Sequence, residues 1–184
     1  MSVGVRDTQA GLAITGEHAV TRAGAGFTVL QDARLLLIAV WLGAAVFFSF
    51  AVAPSAFAVL PARELGGSLV TRTLSIVNVA GFIISLLLLA SALIGRAAAR
   101  RRAWLVELIA LSVVALTTFV GHWVIIARLL ALRRAMGRPI DDVAAGDPLR
   151  VAFNNLHGYS VVALTVGMLA GALALLVIAR RRGR

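Results

Sequence analysis

The sequence predicts an all-α fold, a four-helix bundle that crosses a membrane. Three observations carry this. The chain has 184 residues and is 60% hydrophobic, well above the roughly 45–50% usual for a soluble domain. Its mean hydropathy is +0.95. The apolar residues gather in four long runs separated by arginine-bearing segments. Inside lipid no water is available to the backbone, so runs of this length must satisfy their own hydrogen bonds as helices. A chain of this size holds one bundle, not two domains.

Residues 1–33 are mixed in character and read as a flexible cytoplasmic tail. No apolar core follows a basic start, so no cleaved signal is expected. The transmembrane domain covers residues 34–182. Span one runs over about residues 35–60, longer than the roughly 20 residues a crossing needs. Pro54 removes one helical hydrogen bond, so a bend is expected near Val52. Spans two, three and four cover about residues 70–94, 104–127 and 151–179. Asp147-Pro148 has the pattern of an N-cap followed by a first-turn proline, and starts span four.

The net charge is +10, and every basic residue is arginine. These arginines flank the apolar runs, which makes the lipid bilayer and its anionic head groups the expected partners. Nucleic acid is not expected, because no basic stripe is interleaved with stacking aromatics. The absence of cysteine excludes disulfides, thiolate metal sites and cysteine nucleophiles. Arg96, Arg100, Arg101 and Arg102 crowd the short link after span two. Short loops follow the positive-inside rule best. Both termini are therefore placed in the cytoplasm and the chain in the cell membrane, as a multi-pass protein. Arg128, Arg133 and Arg134 lie on the opposite side and run against this bias. They read as a helical extension of span three beyond the membrane.

Ala163, Gly167 and Gly171 recur every fourth residue along span four. Such a stripe admits a close helix neighbour, either within the chain or in a homo-oligomer. Polar residues inside the spans are few, and such groups usually face protein or water. Glu107 lies one turn inside span three, next to Trp104 and the Arg100–Arg102 cluster, and reads as an interfacial ion pair. His122 and His157 sit at similar estimated depths near the outer ends of spans three and four. With Asn78, Asn154 and Arg72 they compose a candidate outer polar pocket. Two histidines could ligate a haem iron or a copper ion. The alternative is that each bonds a carbonyl or an amide. No catalytic triad, phosphate loop or dinucleotide fingerprint is present, so no enzyme activity and no resident cofactor is expected.

Two stretches carry a family resemblance. Span one contains W-L-G-A-A-V-F-F from Trp41, with Ala53-Pro54 following. Span four opens on D-P-x-R-x-x-F-x-x-L-H-x-x-S, formed by Asp147, Pro148, Arg150, Phe153, Leu156, His157 and Ser160. Over about residues 34–182 the chain resembles the domain-of-unknown-function family 4149 of small bacterial membrane proteins. That family is similar to a vertebrate four-helix membrane protein associated with cisplatin resistance. The resemblance implies four spans and a membrane location, and no established reaction. Val161-Val162-Ala163 follow Ser160 where the family often carries an asparagine. A more distant similarity reaches copper-resistance membrane proteins and a haem-binding protoporphyrinogen oxidase family. The oxidase family has histidines in its first helices; spans one and two here have none.

The expected function is binding or handling of a small ligand, metal or lipid at the outer leaflet. Two alternatives stand beside it. One is a haem- or copper-binding redox protein using His122 and His157. The other is a membrane scaffold that packs through the span-four glycine stripe.

Overall fold

A computed structural model describes residues 29–94 and 101–182. Helix α1 spans Val29–Val59, α2 Arg63–Ile94, α3 Arg101–Met136 and α4 Pro148–Arg182. All four are long and apolar enough to cross a membrane. A 3-10 turn at Ile140–Asp142 interrupts the link between α3 and α4. Residues 1–28 of the expected tail lie outside the described residues, while 29–33 already belong to α1. Helix α2 begins at Arg63, earlier than the apolar run alone suggests, because Arg63-Glu64-Leu65 supply a helical first turn outside the span. Helix α3 continues through Arg128, Arg133 and Arg134 to Met136. It ends on Gly137, whose φ of 63° is left-handed and costs glycine nothing.

Helix α3 packs along both α2 and α4. The main core joins Ile38, Trp41 and Phe48 of α1, Leu88 of α2, Leu111 and Val114 of α3, and Ile178 of α4. A second, smaller core of Ile125, Leu129 and Phe153 lies toward the α3–α4 link. Only 22–33% of the most apolar window of each helix is buried inside the bundle. The outward faces carry Leu36, Phe47, Leu87, Leu116 and Leu169, all more than half exposed. An exterior this apolar has hydrocarbon as its solvent.

Trp41 stands at the centre of the bundle, 2% exposed. Its indole N–H donates to the Val77 carbonyl of α2 at 3.1 Å. Glycines make the room for it. A Cβ on Gly81 would lie 2.7 Å from Trp41 Cε2, and one on Gly171 2.7 Å from Trp41 Cζ3. A Cβ on Gly167 would meet Thr117 Oγ1 of α3 at 2.8 Å. Gly167 and Gly171 thus face helices of the same chain. Ala163, the third residue of the stripe, packs against the smaller core.

The helices depart from α geometry in two places. In α1, Phe48–Val52 is π-helical, and the Ala53 N–H reaches back to the Phe48 carbonyl. Pro54, which has no N–H to donate, follows directly in the α segment Ala53–Val59. In α3, Val120–Ile126 is π-helical and includes Gly121 and His122. At the start of α4, the Asp147 carboxylate accepts the Leu149 N–H at 2.8 Å and Pro148 fills the first helical position.

Candidate functional site

Two polar centres occupy opposite ends of the bundle. At the end where α1 begins and α4 finishes, Glu107 of α3 is fully buried. One carboxylate oxygen accepts from Arg34 of α1 and the other from Arg181 of α4. Gln31 Oε1 accepts a second guanidinium bond from Arg34 at 3.4 Å. Glu107 therefore pairs with arginines distant in sequence and not with its neighbours Arg101 and Arg102, which are exposed. Arg100 lies outside the described residues. With both oxygens engaged by guanidinium donors, this carboxylate is built to hold three helices together. An isolated charge in such a place is costly, and pairing is what makes it tolerable.

The other centre is a recess of about 220 Å³ at the end where α1 joins α2 and α3 joins α4. Its polar lining is Arg63, Thr71, Arg133, Asp141, Arg150, Asn154 and His157. Each arginine is positioned by a nameable contact. The Arg133 guanidinium carbon stands 5.3 Å from the centre of the Phe153 ring, within cation–π range. Gly67 of α2 makes space for it, since a Cβ there would lie 2.6 Å from Arg133 Nη2. Arg150 donates to the Val143 carbonyl of the link. Arg63 meets the Asp141 carboxylate at 3.5 Å, in an exposed pair. Such an exposed pair contributes little. Thr71 spends its hydroxyl on the Gly67 carbonyl at 2.7 Å.

Three guanidinium groups and one carboxylate leave the recess cationic, with Phe57, Val70, Leu129 and Phe153 as its apolar wall. Chemically this arrangement suits an anion that carries a small apolar part, because arginine forks match carboxylate and phosphate oxygens. The volume is below the roughly 300–1,000 Å³ of sites for drug-sized ligands, so a head group or small anion fits and a whole lipid does not. Depth agrees. Helix α3 has 36 residues, or about 54 Å at 1.5 Å per residue. A bilayer with its head groups measures roughly 40–45 Å. With α3 centred in such a bilayer, Arg133 in its last turn falls at the water–head group boundary.

The five residues of the candidate outer pocket do not line one cavity. His157 and Asn154, one helical turn apart on α4, line the recess. His122 does not. Its Nδ1 lies 3.0 Å from Ser75 Oγ of α2, in a bond whose donor follows the imidazole tautomer, and its ring stands edge-on to Trp123 at 4.5 Å. Asn78 is buried deeper, against Gly121, where a Cβ would lie 2.8 Å from the amide nitrogen. Arg72 is exposed and outside the recess. The reason is axial: Ser75 and Asn78 follow Thr71 by one and two turns toward the bundle centre, so His122 and Asn78 meet α2 below the recess floor. Among the described residues no three His, Asp or Glu side chains group so as to hold a metal ion.

Arg63, Arg133, Asp141 and Arg150 are not among the pocket residues that the sequence suggests. One signal was available: Arg150, Phe153, Asn154 and His157 fall at i, i+3, i+4 and i+7, which is a single helix face.

Four spanning helices closed by a buried ion cluster at one end and a cationic recess at the other define a multi-pass integral membrane protein. The chain belongs to the family described as a domain of unknown function, DUF4149, whose model matches residues 36–138 of the 184. That match ends before α4, so the D-P-x-R-x-x-F-x-x-L-H-x-x-S stretch lies beyond it. No curated protein and no solved structure matches the chain.

Proposed function

We propose that this protein binds a small anionic group, phosphate or carboxylate, in the three-arginine recess at the outer face of a bacterial cell membrane. The observation that carries this is the convergence of Arg63, Arg133 and Arg150 on one recess with a single carboxylate, Asp141, among the lining residues. A kinship with the vertebrate protein associated with cisplatin resistance belongs to the same proposal and rests on the span-one and α4 motifs together. A haem or copper shared by His122 and His157 needs both rings at one cavity, and neither cavity described is lined by both.

The test is calorimetric titration of the chain, held in phosphatidylcholine nanodiscs, with inorganic phosphate and with glycerol 1-phosphate. The two ligands separate a free ion from a lipid head group. Arg133→Gln is expected to weaken binding about tenfold, the effect of losing one charge-assisted hydrogen bond. Arg134→Gln, exposed in the same turn, is expected to leave it unchanged. Absence of binding by the native chain to both ligands and to succinate, a carboxylate, would refute the reading.

The outer placement of the recess rests on arginine bias. Cysteines introduced at Ala98 and Ala145 of this cysteine-free chain are expected to label oppositely with a membrane-impermeant reagent, Ala145→Cys from outside. Labelling of Ala98→Cys from outside inverts the orientation.

A further inference from the structure

A second concavity lies on the same pair of helices and does not share its lining with the recess. Arg128, Ala131 and Leu132 of α3 and Ala152, Asn155, Leu156 and Tyr159 of α4 line a groove of about 390 Å³. The recess takes Leu129, Leu130 and Arg133 from α3 and Phe153, Asn154 and His157 from α4. The helix pair thus presents one lining set to each.

Depth separates the two. Arg128 is about 12 Å back from Met136 along the α3 axis at 1.5 Å per residue. Helix α3, with 36 residues, exceeds the roughly 40–45 Å of a whole bilayer by about 10 Å, or about 5 Å per side when centred. Arg128 then stands about 7 Å below the outer head group surface, at the level of lipid phosphates. Tyr159 lies about 16 Å from the start of α4, just inside the hydrocarbon boundary where tyrosine is favoured. Small side chains at Ala131 and Ala152 open the groove, and Leu132 and Leu156 give it an apolar floor.

Arg128 is the one charged residue of this lining, and among the described residues it has no acidic partner. A guanidinium at this depth requires an anion or water. The neighbouring groove offers an apolar seat that the bilayer fills with an acyl chain. We infer that the α3–α4 groove is a site for one anionic phospholipid, its phosphate on Arg128 and one acyl chain along Ala152, Leu156 and Tyr159. The charge selects the head group and the groove fixes the chain. This site stands independently of the anion reading of the recess.

The experiment is native mass spectrometry of the chain released from nanodiscs containing equal amounts of phosphatidylglycerol and phosphatidylcholine. The native chain is expected to retain one phosphatidylglycerol in several-fold preference to phosphatidylcholine. Arg128→Gln is expected to abolish that preference, while Arg134→Gln, exposed and outside both linings, keeps it. Ala152→Trp fills the groove and is expected to remove the retained lipid of both kinds. Its melting temperature, read alongside, is expected to match the native chain, because Ala152 is exposed. Equal retention of the two lipids by the native chain, or an unchanged preference in Arg128→Gln, would overturn the proposal. So would a homodimer cross-linked through Ala152→Cys in the same nanodiscs, since the groove would then seat a second copy.

Discussion

Glu107→Gln is expected to destabilise the protein by about 3–5 kcal/mol, the cost of removing one partner from a buried ion cluster. The Arg34 and Glu107 side chains are 4% and 0% exposed, so neither charge has water to fall back on. The amide keeps the shape and two polar atoms but not the charge. Arg34 and Arg181 would then face each other across a neutral group. Thermal unfolding in detergent micelles, followed by circular dichroism, reads the loss. A combined Arg34→Met, Glu107→Leu, Arg181→Met variant is expected to recover much of it, because an apolar replacement of the whole cluster leaves no orphaned charge. If Glu107→Gln melts with the native chain, the cluster is not holding the three helices.

Trp41→Ala is expected to cost a similar amount, about 3–5 kcal/mol, through the cavity left in a closely packed interior. The indole is 2% exposed and fills the space left by Gly81 and Gly171. The complementary change, Gly171→Leu, forces a side chain into the ring and is expected to cost about 1–3 kcal/mol. Gly43→Leu is the control, since a Cβ there meets nothing within 4 Å. The same melts decide the matter: equal loss from Gly43→Leu and Gly171→Leu would mean that the stripe faces lipid and not the indole.

The helices were legible because lipid imposes one rule on every apolar run, and four runs gave four helices. Their ends were less so. Arg63-Glu64 and Arg133-Arg134 extend α2 and α3 beyond the apolar segments, where helix propensity and capping, not hydropathy, decide. Glu107 stood out as a polar residue in a span, but its partners are far along the chain, and only packing brings Arg34 and Arg181 to it. The recess was half visible. His157 and Asn154 were readable from α4, whereas Arg133 reaches the same space only because Gly67 of a different helix leaves room. Grouping His122 with His157 relied on depth alone. In the structure His122 meets Ser75 of α2, one turn below the recess, and an estimated depth carries no azimuth either.

Azimuth also explains what the wide turn in α3 contributes. An α-helix advances 100° per residue and a π-helix less, so a π-helical segment that takes up one extra residue turns everything beyond it by about that angle relative to an unbroken α-helix. Val120–Ile126 lies between the Trp41-centred core and the end that carries Leu129 and Arg133. The segment therefore sets the angular phase between a buried half and a recess-facing half of one continuous rod. Winding the same residues as regular α-helix, with none deleted, would leave the Leu111 and Val114 contacts in place. It would swing Arg133 from the recess wall and bring another side chain of the last turns into its position. Chemistry at that end is thus indexed by backbone winding as well as by the identity of the residues.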